Sequence, residues 1–217
     1  MYTWENQPWS EKDIKLGAFF GIMLTFLFGL GSRGLEQFGI QPTPWKYAIY
    51  GIFLFFPVWW LTLKKYSASL NAFGFKKTKW WFFLVPVLFY LVFVFILVCY
   101  VLTLRSFGVQ IESTFTLGPF PVLSFLFVTF VGPFFEEMFF RGFLFAGLMK
   151  KHGFLVSGFI SSLVFAAVHI QIKTLFPIFI SGFFMAYLFK KSDSIWPPLI
   201  LHALINGVSM LAEIYTK

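Results

Sequence analysis

The stretch WWFFLVPVLFYLVFVFILVCYVLTL, from Trp80 to Leu104, runs for 25 residues without one charged side chain. As a helix it is about 37 Å long, and crossing a hydrocarbon layer of about 30 Å takes about 20 residues. The rest of the chain reads the same way. Of its 217 residues 59% are apolar, 24% aromatic and 12% charged. A water-soluble domain is about half apolar and a quarter charged. Thirty-five Phe and eight Trp exceed what one small soluble core can hide. A water-soluble globule, a disordered chain and a disulfide-stapled secreted scaffold are therefore excluded, and Cys99 stands alone.

Further apolar runs are Ile14–Leu30, Trp45–Leu63, Pro119–Met149, Phe154–His169, Thr174–Phe189 and Ile195–Ala212. The expectation is an all-α, polytopic membrane bundle of seven transmembrane helices. The number becomes eight if the run from Pro119, with Pro133 inside it, divides. No repeat or linker appears, so residues 1–217 read as a single integral-membrane domain.

The net charge of +8 does not describe a nucleic-acid surface. Lys64, Lys65, Lys76, Lys77 and Lys79 share one connection, and Lys150-Lys151 and Lys190-Lys191 occupy two others. Alternating spans put all three on one side, which the positive-inside rule makes cytoplasmic, together with the N-terminus. Arg33 with Glu36, Arg105 with Glu112, and Lys173 fall on the other side. The segment Met1 to Asp13 has Glu5, Glu11 and Asp13 against Lys12. It has no basic leader pattern, so the first span is expected to be retained. Trp45, Trp59, Trp60, Trp80, Trp81 and Trp196 lie near span ends, as interfacial anchors do.

Ionisable residues inside spans are costly and mark function by default. Glu136, Glu137 and Arg141 stand among phenylalanines, His169 ends the run after Phe165, and His202 shares a helix face with Asn206. Glu137 and Arg141 are four apart and can pair, which leaves Glu136 without a cation on its own helix. A lone carboxylate in low dielectric takes a proton, a cation or imidazole partners. Taken singly, Glu137–Arg141 reads as a helix-locking pair, His169 as an interfacial ring and His202–Asn206 as interhelical glue. Together, from three spans, they read as a site. Depth along the helices suits Glu136 and His169. His202 and Asn206 reach them only if the last helix begins deeper, which Pro197-Pro198 allow.

These residues, E-E-x-x-x-R (Glu136, Glu137, Arg141) with Gly142 following, F-x-x-x-H (Phe165, His169) and H-x-x-x-N (His202, Asn206), resemble the CAAX-protease and bacteriocin-processing family of intramembrane endopeptidases, also called Abi. The resemblance covers roughly residues 119–212. Asn71-Ala72-Phe73-Gly74-Phe75 looks like a degenerate form of that family's leucine-glycine element. The resemblance implies a membrane peptidase cutting a peptide or membrane-protein substrate in or beside the bilayer. Glu136 would activate water, and His169 would hold that water or a metal. His202 and Asn206 would complete the site, with Glu137, Arg141 and Phe165 in support.

The residues alone leave the chemistry open between two schemes. In one, Glu136, His169 and His202 ligate a divalent metal such as zinc. In the other no cofactor is needed: Glu136 is a general base while His202 and Asn206 donate to the oxyanion. H-E-x-x-H does not occur. The alternatives to an enzyme are a non-catalytic immunity or peptide-binding protein and, less in keeping with the absence of inverted repeats, a proton-coupled transporter. The chain's size suggests a bacterial plasma-membrane protein.

Overall fold

The structure, a computed structural model, describes residues 7–38, 46–110 and 120–216. Glu5, Trp45, Glu112 and Pro119 lie outside them. The described residues form helices α1 (Glu11–Gln37), α2 (Lys46–Trp59, extended by a wider π-type turn over Trp60–Lys64) and α3 (Val85–Ser106). There follow α4 (Pro121–Met149), α5 (Phe154–Val168), α6 (Leu175–Ser192) and α7 (Trp196–Thr216). Five of these rods are long and apolar enough to cross a membrane, and two, within α2 and α5, are shorter. The protein is a polytopic membrane bundle. Lipid exposure is plainest on α3, where only 11% of the most apolar window is buried and Leu88, Leu91, Phe95 and Leu102 lie outward.

The sequence marks where the helices begin. Ser10 and Asp13 cap α1 reciprocally: Ser10 N–H donates to Asp13 Oδ2 at 3.0 Å and Asp13 N–H to Ser10 Oγ at 3.2 Å, a capping box with Asp in place of Glu. Asp13 Oδ1 also takes Lys65 Nζ at 2.7 Å, which ties α1 to the end of α2. Pro121, Pro86 and Pro197 sit in first turns, where a missing N–H costs nothing.

The lysine-rich connections meet at one end. Lys150 Nζ donates to Gln7 O at 2.8 Å, Lys151 pairs with Glu11 at 3.3 Å, and Lys76 pairs with Asp193 at 2.8 Å. At the other end Tyr100 Oη donates to Lys173 O, and Lys173 Nζ to Gln110 O.

Helix α4 is the axis, and its fourth-run proline does not divide it. The rod is continuous because the backbone widens over Phe127–Val131 and again over Met138–Phe145. Such π-type turns are rare and recur near functional sites. Its aromatic rings are wedges. Phe135, Phe139 and Phe143, one turn apart, rest on Gly51 of α2 and on Gly21 and Gly17 of α1. A methyl group at any of these glycines would come within 2.8 Å of the facing ring. Without a hydrophobic drive between helices in lipid, such close packing of small against large supplies the attraction.

The connection after α2 is a foot inserted under α4. Leu70–Phe73 form a 3-10 turn that Gly74 ends at φ +89°. A Cβ at Gly142 would lie 2.9 Å from Phe73 O, so the glycine after Arg141 is a notch for this foot. Ile195 N–H donates to Gly74 O at 2.8 Å, Ser194 Oγ to Lys76 O at 2.9 Å and Thr78 Oγ1 to Ser192 O at 3.0 Å. Ser194 and Ile195 are thereby buried. The start of α7 is covered by protein, and that is why His202, only a few residues along it, reaches the depth of Glu136. Gly142→Ala is expected to cost about 1–3 kcal/mol through overpacking, read as a lowered denaturation midpoint in detergent.

At 15 residues α5 is about 22 Å long. Ile170, directly after His169, has φ +53°, a conformation that β-branched residues rarely adopt. The turn onward to α6 is irregular, and Ile170, Gln171 and Thr174 line a cavity. Non-helical backbone at membrane depth is tolerated in such places.

Candidate active site

Glu137 and Arg141 are both fully buried, with Arg141 Nη1 donating to Glu137 Oε1 at 3.0 Å. The pair does more than lock a helix. Arg141 Nη2 donates to Gly182 O on α6 at 3.1 Å, and the guanidinium lies 4.5 Å from the Phe165 ring centroid on α5. Glu137 Oε1 also accepts from His202 Nδ1 on α7 at 2.8 Å. One buried ion pair thus pins α4, α5, α6 and α7 together. Because a carboxylate only accepts, the proton of His202 sits on Nδ1, and Nε2 is the atom presented at 3.7 Å to Glu136 Oε2.

Glu136 is the carboxylate left over. Its side chain is 24% exposed, and Oε2 is buried without a hydrogen-bond partner among the described residues. It lines a cavity of about 550 Å³ together with His169, His202 and Asn206. His169 ends α5, and its Nδ1 lies 2.7 Å from Phe165 O. A carbonyl cannot donate, so this contact places the ring proton on Nδ1 and makes Nε2 the basic atom. The Phe165 ring stands 4.8 Å from the His169 ring and 5.6 Å from that of His202, between the two imidazoles.

Asn206 has a second task that its spacing did not reveal. Gly132 N–H reaches back five residues to Phe127 O. The same pitch asks Pro133 to donate to Val128 O, and proline has no N–H. Asn206 Nδ2 donates to Val128 O at 3.0 Å instead. One of its two amide protons is spent on the backbone, and the other remains for the cavity. Asn206→Ala should cost about 1–3 kcal/mol. Pro133→Ala, which returns an N–H to the same carbonyl, should recover part of that loss in the double variant. Denaturation midpoints of the two single variants and the double measure this coupling.

Glu136, His169 and His202 are not gathered as a three-ligand set. Among the described residues no three His, Cys, Asp or Glu side chains are placed to hold a metal ion. His202 is held through Nδ1 by Glu137, and His169 through Nδ1 by its own helix, which leaves Nε2 of each ring unbonded to them. The metal scheme read from the sequence requires these three side chains to be drawn closer together than they stand here.

Residues 118–208 match the family described as Rce1-like, type II CAAX prenyl endopeptidase. The matched stretch is somewhat less than half of the chain. It holds α4 to α7 up to Val208 and every residue of the three motifs, Glu136, Glu137, Arg141, Phe165, His169, His202 and Asn206. The chain is also similar to a Bacillus subtilis (strain 168) protein named "Putative membrane peptidase YdiL", with 34% identity over 84 residues. That alignment covers 39% of this chain and 34% of the relative, about a third of its length. No solved structure matches the chain.

The cavity is not made by the matched stretch alone. Thr25, Phe26 and Ser32 of α1 and Lys46, Tyr50 and Leu54 of α2 line it too. Sequence reading passed over these positions. The only signal was a hydroxyl, Thr25, in the middle of an apolar run.

Proposed function

We propose that the protein is an intramembrane endopeptidase that hydrolyses a peptide bond with a water activated by Glu136 and His169. One observation carries the reading: of two adjacent carboxylates, Glu137 is neutralised through Oε1 by Arg141 and His202 away from the cavity, while Glu136 borders the cavity with no hydrogen bond to Oε2 among the described residues and only His202 Nε2 nearby, at 3.7 Å. Glu136 takes a proton from the water, and His169 Nε2 accepts the water's second hydrogen and orients it. His202 enters the reaction with a second proton on Nε2, taken from water in the cavity before substrate binds and kept through the turnover, so that Nε2 is a donor held in direction by Glu137 as the acid of a triad holds its histidine. It serves the developing oxyanion together with the second amide proton of Asn206. The proton on Glu136 then goes to the leaving amine. The substrate is a peptide or a segment of a membrane protein. The membrane is a bacterial plasma membrane with the lysine-rich end in the cytoplasm, as the clustering of lysines supports.

The decisive test is cleavage by the purified protein in lipid or detergent. The expected result is proteolysis that survives a chelator such as EDTA or 1,10-phenanthroline and disappears in Glu136→Gln. Loss of activity to chelator with recovery on adding Zn²⁺ would replace the general-base scheme with a metal one.

A further inference from the structure

Helix α1 lies outside the residues matched to the family, yet it supplies one wall of the cavity. Several buried side-chain polar atoms lack a hydrogen-bond partner among the described residues, and they belong to Gln7, Trp9, Thr25, Thr129, Glu136, Glu137, Arg141 and Ser162. Only two of these residues line the cavity, Glu136 and Thr25. Glu136 has a chemical task in the proposed hydrolysis. Thr25 has none.

Thr25 is 2% exposed. A threonine inside a helix ordinarily satisfies its hydroxyl on the carbonyl one turn back, here Gly21 O. Thr25 Oγ1 makes no such bond. A buried hydroxyl kept from both helix and water is unfavourable by itself, and the deficit ends when a ligand group meets it. The surroundings narrow the ligand's chemistry. Thr25, Phe26, Tyr50, Val168 and Ile170 are shared between the cavity and a groove walled by Ile22, Leu163, Val164 and Ala167. Two neutral hydroxyls, those of Thr25 and Tyr50, no charge on those groove walls and apolar side chains around them suit a peptide main chain flanked by an aliphatic side chain.

We infer that Thr25 Oγ1 is a substrate-positioning group that donates a hydrogen bond to a main-chain carbonyl of a bound peptide, whose aliphatic side chain enters the groove between α1 and α5. The inference rests on the peptidase reading for its context. It concerns binding, however, and is measured without turnover. Thr25 is a positioning residue for the chemistry, and its loss changes affinity and leaves the bond-breaking step alone.

The probe is a pool of acetylated decapeptide amides built from Ala, Val, Leu and Ile. Retention by the full chain in detergent is measured in a Glu136→Gln background, where the peptides stay intact, with Thr25, Thr25→Val and Thr25→Ser. The expected result is about a tenfold weaker affinity for Thr25→Val and recovery to within about twofold in Thr25→Ser. With Glu136 restored, KM should rise about tenfold in Thr25→Val with kcat unchanged. The thermal midpoint of Thr25→Val should equal or exceed that of the parent, because valine keeps the shape and removes an orphaned hydroxyl. Equal retention by Thr25 and Thr25→Val, no retention by either, or a lowered midpoint in Thr25→Val would each overturn the inference. Threonine-dependent retention of a pool that the parent protein never cuts would leave the binding site standing and remove the peptidase reading.

Discussion

Glu136→Gln is expected to abolish peptide cleavage, by a factor of about 10²–10⁴ for loss of a general base, while the protein inserts and unfolds as the parent does. Glutamine keeps the size of the side chain and its place on the cavity wall. It cannot take a proton. The side chain is a quarter exposed and Oε2 takes no hydrogen bond among the described residues, so no buried hydrogen-bond network is broken by the change. The control is the neighbouring position. Glu137→Gln alters a fully buried group that bonds both Arg141 and His202, so it should lower stability and activity together. Activity assays and denaturation midpoints on the two variants separate the roles. Cleavage at parental rates by Glu136→Gln would remove this carboxylate from the chemistry.

Arg141→Met should have the largest effect on stability, about 3–5 kcal/mol, the range found when one partner of a buried ion pair is removed. The methionine fills space against Phe165 but leaves Glu137 with a buried charge and Gly182 O without its donor. In the double variant Arg141→Met with Glu137→Gln the buried charge is gone as well. Stability should recover by several kcal/mol relative to Arg141→Met, with activity still depressed because His202 has lost the carboxylate that fixes its proton on Nδ1. Chemical denaturation of the four proteins gives the coupling energy. An additive pair of losses would mean that Glu137 and Arg141 do not act as one unit.

Much of the architecture was legible in the sequence because lipid imposes a simple rule of uninterrupted apolar helices. The runs gave the rods, and the adjacent acids, the arginine four residues on and the distant imidazoles indicated what meets in the middle. The missing parts share a physical cause: they depend on which backbone atoms come close in space. The widened turns of α4 leave no trace in composition, so the continuity of the rod through Pro133 and the bond from Asn206 to Val128 O were not readable. Nor was the depth of α7. Its start is set by Gly74 O meeting Ile195 N–H, a contact between residues far apart in the chain. Glu137 was legible as a partner for Arg141 but not for His202, since four-residue spacing speaks only within one helix.

The brevity of α5 bears on the lipid around the protein. Its outward residues Leu155, Val156, Phe159, Ile160 and Leu163 form an apolar band shorter than a typical acyl layer. Acyl chains beside it must tilt or compress, at a modest free-energy cost per ångström. A segment drifting along that flank meets headgroups and water sooner than elsewhere in the bilayer. The protein should therefore partition toward thinner regions of its host membrane, and lengthening the acyl chains of reconstituted vesicles should slow its turnover before it unfolds the bundle.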